Sequence, residues 1–184
     1  MKQHLADYIR VYNILDADLC DGVISTLENT NWSRHKFYHS DGLVDHGSEP
    51  DECHDVIEQT PILQQAVWEA LRRYVLEDIN CPWFAGWHGF SNIKFIRYNV
   101  DTEMENHCDH IHSLYDGTYN GIPILSVIGL LNDDYQGGEL VMFEDQVIPL
   151  TKGDIVIFPS VFLYPHRITK VTSGIRHSFV SWAH

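Results

Sequence analysis

Residues 139–182, ELVMFEDQVIPLTKGDIVIFPSVFLYPHRITKVTSGIRHSFVSW, decide the fold. Short apolar stretches alternate there with turn-forming residues such as Glu144-Asp145 and Lys152-Gly153. That rhythm predicts strands at Glu139–Phe143, Gln146–Leu150, Ile155–Phe158, Leu163–Ile168 and Arg176–Trp182. A turn at Val171–Gly174 is expected to let the last two of these pair. Upstream the same pattern gives Ile93–Tyr98 and Ile124–Leu131, and the breaks hold Gly117, Asn120-Gly121, Asp133-Asp134 and Gly137-Gly138. Short strands at this spacing predict a sandwich or jelly roll.

Toward the N-terminus the period changes. Asp16 is placed to cap a helix from Ala17 to about Glu28, with Leu19, Val23, Ile24 and Leu27 near helical spacing. Thr60-Pro61 opens a second helix, because threonine supplies a capping oxygen and proline in the first turn loses no needed donor. Ile62, Leu63, Ala66, Val67, Ala70, Leu71, Tyr74 and Val75 then mark one apolar face. Residues 40–55, SDGLVDHGSEPDECHD, carry Gly42, Gly47 and Pro50 without periodicity and read as a long loop, a candidate substrate lid. His39, His46 and His54 read as solvated histidines there. The expectation is one domain, residues 1–184. Residues 1–91 form helical support and loop, and 92–184 a β-core that carries the site.

Composition narrows the function. The chain has 184 residues, enough for one core without disulfides. With 12 basic against 26 acidic residues its formal charge is −14, which repels phosphate backbones and argues against nucleic acid as a partner. No apolar run suggests a membrane span and the start shows no signal peptide, so a cytoplasmic location is expected. Cys20, Cys53, Cys81 and Cys108 form no CxxC pair, which disfavours a zinc knuckle and fits free thiols.

The chemistry gathers in NHCDHIH. His107 and Asp109, two apart on a strand, point to the same face and can reach one ion, with Cys108 turned away. A third ligand must come from a distant strand, and His166 in YPHRITKV is the best candidate. Two imidazoles and a carboxylate on one side of an ion leave its other side open, as in non-haem Fe(II) oxygenases. His110-x-His112 is a rival pair, but it lacks the carboxylate. Arg176 follows His166 by ten residues, and its guanidinium can fork onto a carboxylate. Gly137-Gly138 is most simply a turn, Glu139 structural, and Trp182 a packing residue.

Four segments, RYNVDTEMENHCD, LNDDYQGGELVMF, KGDIVIFPS and PHRITKVTSGIRHSFVSW, resemble the iron(II)- and 2-oxoglutarate-dependent dioxygenases, in their prolyl 4-hydroxylase-like branch. The resemblance implies a double-stranded β-helix (jelly roll, cupin-like) core with N-terminal helices packed outside. It implies Fe(II) on His107, Asp109 and His166, and Arg176 on the far carboxylate of 2-oxoglutarate. Tyr98 would line the cosubstrate pocket and Ser178 would support it. O2 is the other cosubstrate, and whether ascorbate is required stays open. Arg176 departs from the lysine of many animal and algal prolyl 4-hydroxylases, and Asn99-Val100-Asp101 stands where relatives often have a glycine turn. The implied reaction is hydroxylation of a C–H bond with release of succinate and CO2. A peptidyl proline on a peptide or protein is the first candidate substrate. The alternatives are a free amino acid or other small molecule, or a non-catalytic metal-binding cupin-like domain. Oligomeric state is left open.

Overall fold

The segment LSVIGL, Leu125–Leu130, is buried along its whole length, and its position in the fold explains why. In the computed structural model, which describes residues 2–39, 42–44, 47–80, 89–109, 115–116 and 120–184, this strand lies inside a seven-stranded antiparallel sheet. The spatial order is Arg10–Asn13, Asp154–Pro159, Leu125–Leu130, Arg176–Ala183, Lys94–Tyr98, Asp51–Cys53, Ser33–Arg34. A second sheet of four strands runs Gln146–Ile148, Leu140–Met142, His166–Ile168, Met104–His107.

Alternation along the central strands feeds two cores. Ile155 and Ile157 join Phe95, Val127 and Phe179 beneath the helices, where Val23, Leu27, Leu63, Val67 and Leu71 meet them. Val156 and Phe158 instead join Ile96, Ile128, Met142 and Ile168 between the sheets. A strand covered on both faces must be apolar on both, which is why these segments read as unbroken apolar runs. Gly129 is required by the packing: a Cβ there would lie 2.2 Å from ring atoms of Phe179 on the neighbouring strand.

The mainly β architecture, a jelly roll with helices outside, agrees with the sequence reading. The strands expected from residue 92 onward occur, shorter or longer by a few residues. Helix Ala17–Leu27 starts as expected, with the Asp16 side chain accepting from the Asp18 amide at 2.8 Å. Helix Thr60–Arg73 forms too, but Thr60 does not cap it. Its hydroxyl oxygen accepts from the amide of Ile57, before the helix, at 3.0 Å. On the expected apolar face Ile62 is exposed, while Leu63, Val67, Ala70, Leu71, Tyr74 and Val75 are buried.

Three expectations need correction. Residues 40–55 are not all loop: Gly42–Val44 pairs with Phe37–His39, and Asp51–Cys53 is a strand of the large sheet. Nor is 1–91 helical support and loop alone, because Arg10–Asn13, Ser33–Arg34 and Asp51–Cys53 all join that sheet. Finally, the His166 and Arg176 segments do not pair. Val171–Ser173 is a short strand against Gln136–Gly137, and Gly174 at φ +75° turns the chain from the small sheet into the large one. His166 thus lies on one sheet and Arg176 on the other, as strand-by-strand crossing in a jelly roll requires. At the expected glycine-turn position, Asp101 itself takes φ +67°. None of the described helices is long and apolar enough to cross a membrane.

Candidate active site

In the small sheet His166 lies directly opposite His107 in antiparallel register. The strand ends at His107, so Asp109 sits in the bend beyond it rather than two positions along it. The bend brings the carboxylate round to both imidazoles. Asp109 Oδ1 is 3.6 Å from His107 Nε2 and 3.8 Å from His166 Nε2. One donor atom from each residue lies within 4.8 Å of the others, a group able to hold a metal ion.

The far side of each ring is tied to its own chain. His107 Nδ1 is 2.7 Å from the Glu105 carbonyl and His166 Nδ1 is 3.1 Å from that of Tyr164. With Nδ1–H donating to a carbonyl, Nε2 keeps the lone pair that a metal needs. Phe158 packs edge-on against the His166 ring, 4.9 Å between centroids. The Cys108 thiol donates to the Phe162 carbonyl at 3.4 Å.

Electrostatics match a cation site. Burial alone would raise the Asp109 carboxyl, but His166, His107 and Ser126 together hold it well below the usual carboxylate range. Burial pushes His166 down to about 4 against the pull of Asp109, so the ring is neutral near pH 7. Burial also disfavours charge on His107, yet the hydrogen bond and charge of Asp109 outweigh it and raise that ring.

Across the barrel, Arg176 is the largest fully buried side chain, 1% exposed. Its Nη1 donates to Ser178 Oγ at 2.9 Å, and its Nε has no partner. Among the described residues no carboxylate lies within salt-bridge distance of it. A buried guanidinium without a counter-ion is costly, and an arrangement of this kind can take up an anion. Tyr98, opposite Arg176 in register, places its ring 5.0 Å from the guanidinium carbon. Burial pushes its phenol up to about 12, with Arg176 opposing and Asp109 and Tyr135 adding. The ring thus lies within electrostatic reach of both Arg176 and Asp109. A cavity of about 230 Å³ reaches Arg176, lined in part by Tyr135, Leu140, Ile148 and Leu150. His107, Asp109 and His166 do not line it. Gly138, at φ +65°, lets the arginine stem pass: a Cβ there would stand 3.0 Å from Arg176 Cδ.

All six residues singled out from sequence therefore face the space between the sheets or its rim. His110 and His112 lie outside the described residues. His54 is exposed and meets Glu52 at 3.4 Å, while Glu139 accepts from the Thr169 hydroxyl, a structural contact. Sequence reasoning missed Ser126 and Ser160. The available signal was a lone hydroxyl residue inside the apolar run ILSVIGLL.

A model of the 2OG-Fe(II) oxygenase superfamily matches residues 93–184. A PKHD-type hydroxylase of Variovorax paradoxus is 29% identical over 150 residues, 74% of this chain and 60% of that one. One from Synechococcus sp. is 40% identical over 87 residues, 44% of this chain and 38% of that one. The chain thus spans 60% or less of these relatives' own length. Among solved structures, a Pseudomonas putida prolyl-4-hydroxylase superposes with TM-score 0.66 at 18% identity, covering 100% of this chain and 98% of that one. A Trichoplax adhaerens prolyl hydroxylase in complex with a hypoxia inducible factor peptide fragment gives 0.73 at 15% identity, covering 99% and 86%. The family match over the half of the chain that carries the His-Asp-His group establishes that this chain belongs to the 2OG-Fe(II) oxygenase superfamily.

Proposed function

We propose that the chain is a 2-oxoglutarate-dependent hydroxylase that acts on a peptidyl proline. The observation that carries the reading is Arg176: a fully buried guanidinium, without a carboxylate partner among the described residues, in the same barrel as the His107, Asp109, His166 group. That pairing suits a cosubstrate with an oxo-acid end and a distant carboxylate. It also weighs against a metal-binding domain without turnover, which needs no such arginine.

In this reading His107, Asp109 and His166 hold Fe(II), and Arg176 grips the far carboxylate of 2-oxoglutarate through a charge-assisted fork. Ser178 fixes the direction of that fork by accepting from Nη1. Tyr98 offers its hydroxyl, which none of the described residues takes, to the cosubstrate. Bound iron with 2-oxoglutarate and O2 supplies the oxidising power, releasing succinate and CO2. The protein contributes orientation and dryness: between the sheets, Ile96, Ile128, Met142 and Phe158 exclude water from the ligands' inner side.

A peptide substrate is supported by the structural likeness to the Trichoplax adhaerens prolyl hydroxylase, which is in complex with a peptide fragment. Exposed Phe162 and Leu163, next to the residues that flank His166, offer such a chain an apolar edge. Both halves of the chain supply strands to the large sheet, which supports reading 1–184 as one catalytic domain. The free thiols of Cys20, Cys53 and Cys108 fit a reducing, cytoplasmic setting.

The test incubates proline-containing peptides with the protein, Fe(II) and 2-oxoglutarate, following succinate and peptide mass. A gain of one oxygen on proline is expected, lost in His107→Ala and His166→Ala. An iron-loaded protein that leaves 2-oxoglutarate untouched across such a panel refutes the reading.

A further inference from the structure

The two oxygens of Asp109 face different surroundings. Oδ1 is turned toward the imidazoles, at 3.6 Å and 3.8 Å. Oδ2 accepts a hydrogen bond from Ser126 Oγ at 2.6 Å. Ser126 is 1% exposed, on an otherwise apolar strand. A hydroxyl has one proton to donate, and Ser126 gives it to Asp109. Its 2.5 Å contact with Ser160 Oγ therefore runs the other way, with Ser160 donating. Ser160 is equally buried, and its amide donates to the Ile124 carbonyl at 3.0 Å, on the segment that leads into the Ser126 strand. The relay Ser160 → Ser126 → Asp109 is thus anchored to backbone at its far end.

We propose that Ser126, oriented by Ser160, is a positioning residue that confines Asp109 to binding the metal through Oδ1 alone. The proposal rests on the reading of His107, Asp109 and His166 as iron ligands. A carboxylate free to swing can close both oxygens onto one ion. That mode takes up a coordination position, and one fewer remains for 2-oxoglutarate and O2 together. With Oδ2 fixed by a buried hydroxyl, Asp109 presents a single oxygen in a fixed direction, and the metal meets three preset donors. Partners of this kind, which hold a ligand without touching the ion, set metal affinity through ligand orientation.

The experiment measures Mn(II) affinity of the full chain by titration, with free Mn(II) read by electron paramagnetic resonance. It compares the parent with Ser126→Ala, Ser160→Ala and His107→Ala, each checked for folding by circular dichroism. Ser126→Ala is expected to weaken Mn(II) binding roughly ten- to a hundredfold. Ser160→Ala keeps the direct donor and is expected to fall between that variant and the parent. A folded Ser126→Ala protein with affinity within twofold of the parent overturns the proposal, as does a larger defect in Ser160→Ala. Should Ser126→Ala not fold, a crystal structure of the Mn(II)-loaded parent decides. Asp109 ligating through Oδ1 with Oδ2 on Ser126 supports the proposal, and two-oxygen ligation overturns it. A parent chain that binds no Mn(II), or a His107→Ala variant that binds as tightly as the parent, refutes the iron-site reading instead.

Discussion

Arg176 is predicted to be a residue whose loss destroys cosubstrate binding while making the empty protein more stable. Arg176→Met keeps an unbranched stem and deletes the guanidinium. That group is buried, with Nε unpaired and, among the described residues, Ser178 and the Tyr98 ring as partners. Replacing a buried ion pair by apolar side chains is neutral or stabilising by about 1–4 kcal/mol, and we expect the lower half of that range for this charge because Ser178 loses its donor. At roughly 2–4 °C per kcal/mol for a chain this size, the melting temperature of the metal-free protein rises by several degrees. The cosubstrate-bound state moves the other way. Removing one partner of a buried, hydrogen-bonded charge pair costs about 2–5 kcal/mol. Affinity for 2-oxoglutarate then falls ~30-fold to several thousandfold, at about 1.4 kcal/mol per decade. Calorimetric titration of the Mn(II)-loaded proteins with 2-oxoglutarate reads the second effect, and thermal unfolding without ligand reads the first. A Met variant that binds within threefold of the parent refutes the assignment. One that melts well below the parent refutes the claim that the charge is uncompensated.

Two further outcomes follow from packing and charge. Gly129→Ala drives a methyl into the Phe179 ring, and overpacking of this kind costs about 1–3 kcal/mol. Urea unfolding should show the loss, with Phe179→Leu restoring part of it in the double variant; a neutral Gly129→Ala refutes the close approach. Glu52 supplies an acid-labile contribution. Burial raises its carboxyl, but His35 at 2.8 Å and Lys94 at 3.2 Å bring it down to about 2. Its folded pKa lies below the roughly 4.3 of an unfolded chain. The stabilisation is therefore full above that value and is lost as pH falls through about 2. Denaturant midpoints of Glu52→Gln should converge on those of the parent across that window; parallel curves refute the linkage.

Local signals account for what was legible. The seven strands expected between Ile93 and Trp182 each carry their own apolar pattern and turn residues, so no distant partner was needed to find them, whereas Met104–His107, Gln136–Gly137 and Val171–Ser173 were not among them. The Asp16 cap was visible for the same reason. Asp51–Cys53, DEC, has no such pattern. It becomes a strand because Lys94–Tyr98 offers an open edge and Arg97 and Lys94 take its carboxylates, Arg97 Nη2 lying 2.8 Å from Asp51. Arg10–Asn13 is likewise too short and too exposed to declare itself, and it is drawn into the sheet by Asp154–Pro159.

The sequence by itself determined which donors exist. His107 and Asp109 are close along the chain, and His166 and Arg176 are ten residues apart. Chemistry of this kind depends on residue type, which a sequence states directly. Tertiary structure decided how those donors meet. It set His166 opposite His107 on one sheet and Arg176 on the other, where a turn between neighbours had been expected. It also placed Ser126 and Ser160 behind Asp109, from strands distant in sequence. Side-chain contacts between sheets depend on register and crossing, and no local pattern encodes those. The residues proposed as iron ligands could be read from residue types, whereas the Ser160–Ser126–Asp109 hydrogen bonds exist only once the barrel closes.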